Sequence, residues 1–413
     1  MTTKQTFIGE ITGYGYDGEG VCRSEGKVVF VPYALRGEKI LGEIEECRSS
    51  FCRGVLKEIK VASNKRENPP CPYFGVCGGC AYQHTSYQNE LEIKKELLSS
   101  QLKKIGIECD VKVFPSQKEY GYRNKIRLFV GGQGLCLKRR SSNQLCPIER
   151  CLLVSEQLNK TIETVSSFIK AKKADRIYKE VILRQEGNQI AVNFVLNIKN
   201  SKVNYQGLYL RLGKNSGIFE TYEGECVNKI GNSSLVSKEL GLKCSFTPQS
   251  FHQVNRYLTN SLYQSAIDNL KGKNIVNCYS GAGVLSGVIA KSGKRVIAIE
   301  LGASEHEDAE KLKEENSLFY LTNIKGDCAD VLPNLKENID SVIVDPPRNG
   351  MDKRVVAALN EFDFKSLVYI SCNSATLVRD LERLEGFSVK NVMLFDMFAR
   401  TGEYEVLAVL EKQ

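Results

Sequence analysis

The chain has no apolar run approaching the roughly 18 residues that a membrane-spanning helix needs, and its opening stretch, MTTKQTFIGE, lacks the apolar core of a secretory signal. Long low-complexity tracts are missing as well. The first absence excludes a protein that crosses the membrane by helices. The second makes the cytoplasm the expected compartment, and the third excludes a disordered scaffold. Any excess of one charge is small: 57 Lys+Arg against 49 Asp+Glu leave +8. That balance favours a polyanionic partner only weakly, since an ordinary solvated basic surface produces it too. What is present is length and thiol. With 413 residues, 42% of them hydrophobic, the chain can bury the cores of two or three domains. Fifteen cysteines in a chain this long, without an export signal, point to metal or catalytic use rather than to a disulfide framework.

Residues 7 to 60 read as short strands, FIGEITGYG, KVVFVPYAL, KILGEIEECR and RGVLKEI, with a Gly-rich turn at DGEGV. This pattern predicts a small β-barrel over 1–60. The polar stretch ASNKRENPP follows as a linker. Over 86 to 105, Leu91, Ile93, Leu97, Leu98, Leu102 and Ile105 recur at helical spacing among lysines, which predicts one amphipathic basic helix. Strand-like KIRLFV, KEVILRQ and QIAVNFVLNI, with a helical segment near LNKTIETVSSFIKA, make 61–248 a mixed α+β region. From 249 to 413 strands and helices alternate, and NIVNCY, RVIAIE, SVIVDPP and SLVYISC are apolar runs of the buried parallel kind. The expected architecture is therefore multidomain α/β.

CPYFGVCGGC places Cys71, Cys77 and Cys80 within one glycine-rich loop, and QLCPIERC offers Cys146 or Cys151 as a fourth thiol. Such spacing can converge on one metal centre, either structural zinc or an iron–sulfur cluster. Cys146 is the better fourth ligand, because the proline after it resembles the Cys-Pro ending of many cluster loops.

NIVNCYSGAGVLSG reads as a strand, a tight turn at Gly281 and Gly283, and a helix, and Glu300 ends the next strand as a ribose-binding acid would. The third glycine of the dinucleotide fingerprint is lacking, and the turn suits a dehydrogenase as well as an S-adenosylmethionine enzyme. VDPPRNG and YISCNSATLVRD decide between them. A dehydrogenase has no use for Asp345 before two prolines at one strand end and Cys372 at the next. Methyl transfer to a nucleic-acid base can use both; amino-methylating enzymes also carry an acid or Asn before Pro-Pro but attack with the base's own nitrogen, so Cys372 argues for a carbon target, carbon 5 of a pyrimidine. That carbon is too weak a nucleophile until a thiolate adds at carbon 6, and a base must then remove the carbon-5 proton. NSATLVRDLERL reads as a helix behind Cys372, with Asn373 or Ser374 near its N-cap, and a helix N-terminus is expected to lower the thiol's pKa.

In order along the chain, FTPQSFHQVN, YSGAGV, VDPPRNG, YISCNSATLVRD and GEYE resemble the signature motifs of the RNA 5-methyluridine methyltransferases. CGGCAYQH and GYRNKIR resemble that family's cluster loop and RNA-facing segment, and the N-terminal strands resemble its OB-like TRAM RNA-binding barrel. The resemblance covers nearly the whole chain. It implies a 1–60 TRAM-like barrel, a 61–248 region holding a 4Fe-4S cluster, and a 249–413 Rossmann-like methyltransferase domain. It implies Cys372 as nucleophile and Glu405 as base, and S-adenosylmethionine contacts at Gln253, Tyr279, Glu300, Asp327 and Asp345. Cys71, Cys77, Cys80 and Cys146 become the cluster ligands, and Arg123, Lys125 and Arg127 phosphate contacts. Within the family, the branch with both TRAM and cluster modifies large-subunit ribosomal RNA. Ribosomal RNA is thus the expected partner of a monomeric, membrane-independent enzyme, with transfer RNA or a catalytically silent RNA-binding role as the alternatives. The chain departs from the family pattern in three places: Asn277 replaces the usual aspartate, Ser374 replaces a proline, and FARTGEYE lacks the usual prolines and histidines.

Overall fold

Alternation shapes the first strand. In Thr6–Glu10, Phe7 and Gly9 turn inward while Ile8 is 71% exposed, the period of two expected of a strand with one buried face. The Phe7 ring fills notches left by two glycines: a Cβ at Gly42 would stand 2.3 Å from its Cζ, and one at Gly54 would stand 3.1 Å away. Ile11, Cys22, Val29, Val31 and Ile40 close around it. Six strands carry this core, in the order Thr6–Glu10, Lys39–Cys47, Phe51–Val61, Lys27–Val31, Gly20–Ser24 and Gly13–Tyr14. The computed structural model describes residues 5–199, 201–250 and 252–413.

Two features of this sheet correct the sequence-based expectation. DGEGV is only partly turn, because Gly20 opens the strand Gly20–Ser24. A Cβ there would stand 2.8 Å from the Ala34 carbonyl oxygen, so that glycine serves close packing. Cys47 and Cys52 are ladder partners near the end of a hairpin, with Cα atoms 4.1 Å apart, and they form a disulfide. For this pair strand register, rather than metal or catalytic use, determines what the thiols do.

One compact unit comprises Met1–Glu108, Lys138–Gln144 and Phe398–Tyr404. It includes the helix Tyr87–Lys104, capped by the Ser86 hydroxyl, which accepts from the Asn89 N–H at 3.2 Å. The helix buries Leu91, Ile93, Leu98 and Leu102, as its periodicity predicts, but also Glu90 and Lys94.

The second unit comprises Cys109–Leu137, Leu145–Met397 and Glu405–Gln413. Its seven-stranded sheet runs in the order Leu145–Pro147, Gly134–Lys138, Lys125–Gly131, Tyr178–Glu186, Gln189–Leu196, Ser216–Tyr222 and Glu225–Gly231. The helix Glu156–Lys172 buries Ile162, Val165 and Ile169. An eight-stranded sheet follows the order Leu321–Lys325, Arg295–Glu300, Asn274–Cys278, Ser341–Val344, Ser366–Ser371, Glu405–Lys412, Phe387–Phe395 and Val111–Phe114. Its first five strands are parallel, and Glu405–Lys412 enters antiparallel beside Ser366–Ser371. Strand order reverses between Asn274–Cys278 and Ser341–Val344, the switch point at which open α/β sheets bind ligands beyond their carboxyl ends. Among the described residues no helix is long and apolar enough to cross a membrane.

Candidate active site

Four of the predicted site residues lie at the carboxyl ends of parallel strands. Tyr279 follows Cys278, Glu300 ends its strand, Asp345 follows Val344 and Cys372 follows Ser371. Glu405 joins them from the opposite chain direction, because it opens an antiparallel strand and therefore lies at the same edge. The register pairs Ser371 with Val406, so the next step outward sets Cys372 beside Glu405. Opposed positions in an antiparallel pair lie about 4.5 to 5.5 Å apart at Cα.

Charge at this edge follows from that placement. Burial, then the Glu405 and Asp345 carboxylates, push the Cys372 thiol up to about 12, against the opposing pull of the Arg348 guanidinium. This corrects the expectation of a thiol acidified by the helix behind it. The helix Ser374–Leu381 begins two residues past Cys372, and its first turn is already capped by the Asn373 side chain, which accepts from the Ala375 N–H at 3.1 Å. Desolvation and two neighbouring carboxylates outweigh a screened helix end. Burial also raises the Asp345 carboxyl to about 7, and Glu405 is itself buried. The edge is thus rich in acids.

The glycine turn is built for close approach. Tyr279, Gly281 and Gly283 all take left-handed backbone, with φ of 60°, 55° and 76°. A Cβ on Gly283 would stand 2.9 Å from the Ala309 Cβ, whereas one on Gly281 would meet nothing within 4 Å, so the turn leaves open space there. Glu300 is fixed by two backbone donors, the Gly281 N–H at 2.8 Å and the Gly302 N–H at 2.7 Å. Asp327 caps the short helix Cys328–Val331 through the Ala329 N–H at 2.9 Å, and its other oxygen accepts from Arg354 Nη2 at 2.5 Å. Gln253 is buried. An anchored acid beside an open glycine turn fits a ligand bearing a ribose.

The chain is similar over nearly its full length to known proteins. It is 33% identical to an RNA methyltransferase of Caldanaerobacter subterraneus, across 98% of this chain and 97% of that one. The family model of the tRNA (uracil-5-)-methyltransferases matches residues 332–413, the segment that carries Asp345, Cys372 and Glu405. The chain belongs to the RNA uracil-5-methyltransferase family. It is 28% identical to the 23S rRNA (uracil(1939)-C(5))-methyltransferase of Vibrio parahaemolyticus, across 96% of this chain and 94% of that one. The crystal structure of the Pyrococcus abyssi tRNA (uracil-54, C5)-methyltransferase with S-adenosyl-L-homocysteine superposes with a TM-score of 0.82, at 25% identity, covering 98% of this chain and all of that one. This RNA uracil-5-methyltransferase depends on S-adenosylmethionine.

Sequence reading missed the residue that organises the catalytic edge. Asp380 is fully buried and accepts from the Tyr369 hydroxyl at 2.8 Å, the Met351 N–H at 2.7 Å and Arg379 Nε at 2.9 Å. One carboxylate thereby ties the strand before Cys372 and the loop after Asp345 to the helix that follows Cys372. The Arg348 carbonyl accepts from Asn373 Nδ2 at 3.1 Å and Thr376 Oγ1 at 3.2 Å, fastening the same loop. The only signal available was an aspartate within an otherwise apolar helical stripe, and that suggests a surface residue.

The remaining predicted residues are more dispersed. Lys125 and Arg127 lie on one strand. Arg127 Nε donates to Glu180 at 2.6 Å, while burial beside Arg184 and Arg127 lowers the Lys125 ammonium to about 8. Arg123 lies just before that strand, its guanidinium 5.8 Å from the Tyr122 ring centroid. Cys71, Cys77 and Cys80 share one loop of the first unit, where the Gly79 N–H donates to Cys77 Sγ at 3.4 Å. Cys146 is buried on Leu145–Pro147 in the second unit. Among the described residues, no three His, Cys, Asp or Glu side chains are gathered to hold a metal ion.

The proximity of Cys372 and Glu405 can be measured without RNA. The thiolate is the species that alkylates, so iodoacetamide should modify Cys372 slowly near neutrality, with a rate that climbs towards about pH 12. In Glu405→Gln one of the two opposing carboxylates is gone, and the profile should move to lower pH. Peptide-resolved mass spectrometry follows it; an unmoved profile would place Glu405 away from the thiol.

Proposed function

We propose that the enzyme methylates carbon 5 of a uridine in large-subunit ribosomal RNA through a covalent adduct between Cys372 Sγ and carbon 6. The observation that carries this reading is the antiparallel register that sets Cys372 beside Glu405 at the edge holding Asp345. The thiolate adds to carbon 6, forming the S–C bond, and the displaced π pair makes carbon 5 nucleophilic. S-adenosylmethionine, for which Gln253, Tyr279, Glu300, Asp327 and Asp345 are the binding residues, would supply the electrophilic methyl carbon: the new bond joins it to carbon 5, the methyl–sulfur bond breaks, and S-adenosylhomocysteine leaves. Glu405 then takes the carbon-5 proton. The C–H pair re-forms the double bond and expels Cys372 as thiolate. Arg348, whose charge lowers the thiol's pKa, favours the ionised nucleophile.

Likeness to the Vibrio parahaemolyticus 23S rRNA enzyme supports the ribosomal substrate. Transfer RNA stays as a second reading, favoured by the full-length structural likeness to the Pyrococcus abyssi enzyme. In this assignment residues 1–60 form a TRAM-like RNA-binding module, with Arg123, Lys125 and Arg127 adding phosphate contacts. Residues 61–248 carry the cluster region, and 249–413 the methyltransferase domain. Cys71, Cys77, Cys80 and Cys146 offer four thiols, the donor type that holds a 4Fe-4S cluster.

Each element has its own test. Cys372→Ala should abolish both methylation and adduct, whereas Glu405→Gln should accumulate methylated RNA bonded to Cys372, seen as a slow band in denaturing gels. Normal turnover by Glu405→Gln would assign the proton to another base. Mass spectrometry of ribosomal and transfer RNA from a deletion strain should show one 5-methyluridine lost from the large-subunit RNA; loss from transfer RNA alone would reverse the substrate assignment. Protein purified without air should be brown, with about four irons per chain as in a cubane cluster, and a colourless zinc protein would overturn the cluster assignment.

A further inference from the structure

The segment Phe398–Tyr404 is the stretch where the chain departs from the family pattern, and it immediately precedes Glu405. Its centre is Arg400, which is buried and holds left-handed backbone at φ 68°, a region that disfavours non-glycine residues. Every polar part of its backbone, and part of its side chain, is engaged by one region of the first unit. The Arg400 N–H donates to Glu90 Oε1 at 2.8 Å, and its carbonyl accepts from the Ala81 N–H at 2.9 Å. Nη1 donates to the Thr85 carbonyl at 2.8 Å and the Tyr82 carbonyl at 3.2 Å. The guanidinium carbon lies 5.6 Å from the Tyr87 ring centroid.

Glu90, the acceptor at the middle of this network, is itself fully buried and takes Lys94 Nζ at 2.7 Å. Lys94 is equally buried and lies 5.6 Å from the Tyr82 ring centroid. Two further contacts fix the segment. Thr401 Oγ1 donates to the Phe398 carbonyl at 2.7 Å, and a Cβ on Gly402 would stand 3.2 Å from the Asp17 carbonyl oxygen. A surface loop needs no buried charge of this kind. The arrangement anchors the segment at Arg400, and the residue bonded to its last member, Tyr404, is Glu405.

We propose that Arg400, held by Glu90, is a positioning residue for the proton-abstraction step: it fixes the segment that delivers the Glu405 carboxylate to the carbon-5 proton. The inference rests on the assignment of Glu405 as base. General-base catalysis demands placement to within a hydrogen bond's reach, and small misplacements of such a group cost rate steeply. The thiol and the methyl-donor residues lie on other segments, so loosening this one should slow elimination and leave addition and methyl transfer in place.

The test is the ratio of two readouts in the full-length protein. RNA labelled with tritium at uridine carbon 5 reports proton removal, and methyl label from S-adenosylmethionine reports transfer. Arg400→Met is the first variant. Removing this cation leaves Glu90 and Lys94 as a balanced pair, so no lone buried charge remains to unfold the protein. Single-turnover methyl transfer should stay within about threefold of wild type while tritium release falls about tenfold or more, against the roughly hundredfold or greater worth of a positioned base. Covalent RNA should accumulate in denaturing gels, and Arg400→Lys should restore part of the release.

Equal loss of both readouts would make Arg400 a structural residue only, and unchanged readouts would remove it from the reaction; either overturns the proposal. If Arg400→Met does not fold, Arg400→Gln and Arg400→Lys carry the same ratio test, and a wild-type ratio in both overturns it. Glu405→Gln serves as the reference. If it traps adduct and the Arg400 variants do not, this inference alone fails; if it traps none, the assignment of the base fails first.

Discussion

The antiparallel pairing of Ser366–Ser371 with Glu405–Lys412 is the constraint on which the active site depends. A parallel strand in that place would present its carboxyl end, not its amino end, to the switch point, and Glu405 would lie at the far side of the sheet. The reversed strand therefore places a carboxylate beside the Cys372 thiol, a neighbour that the parallel strands alone could not provide. A slip of one residue would also turn Glu405 to the other face, since side chains alternate along a strand. Val406 to Leu410 resist that slip, being buried throughout.

The same edge holds two groups, Cys372 and Asp345, that burial keeps from ionising freely. Cys372 and Asp345 are both raised, and each carboxylate near the thiol adds to its reluctance. The Arg348 guanidinium works against this. Its loop is fastened through its own carbonyl and through Asp380, so hydrogen bonding holds the backbone that carries this charge. A thiol held this far up is protected from adventitious oxidation and alkylation, because the thiolate is the reactive species.

Much of this was legible in the chain. The four apolar runs ending in Cys278, Glu300, Val344 and Ser371 are strands, and each strand end carries the residue that the motifs assign there. The helical spacing over 86 to 105 is realised as Tyr87–Lys104. What was not legible depends on register and distant partners. Val111–Phe114 completes the eight-stranded sheet although it lies far upstream of residue 249, and four residues carry too little pattern to announce that pairing. The Cys47–Cys52 disulfide follows from hairpin alignment. Glu90 and Lys94 sit among the lysines of a helix that reads as solvated, and their partner Arg400 is 310 positions away from Glu90.

The departures from the family pattern separate once their contacts are known. Ser374 opens the helix after Cys372, a position where proline is tolerated because its N–H has no helical partner. Serine there gives up a preset φ and nothing in hydrogen bonding, since Asn373 still caps the turn. Asn277 is buried inside its strand and donates from Nδ2 to the Ser286 hydroxyl at 2.7 Å, so it braces the strand against the helix Val284–Lys291. A neutral amide suits that buried site, where an ionised carboxylate would bear a desolvation cost. Arg400 differs from both: it brings a charge into the interior and spends its backbone and guanidinium on five bonds to one neighbouring region. A substitution that removes a constraint needs no compensation elsewhere, whereas one that buries a cation requires the carbonyls and the carboxylate found around it. Of the three, only Arg400 adds a charge to the interior, and the carbonyls and the carboxylate around it answer that charge.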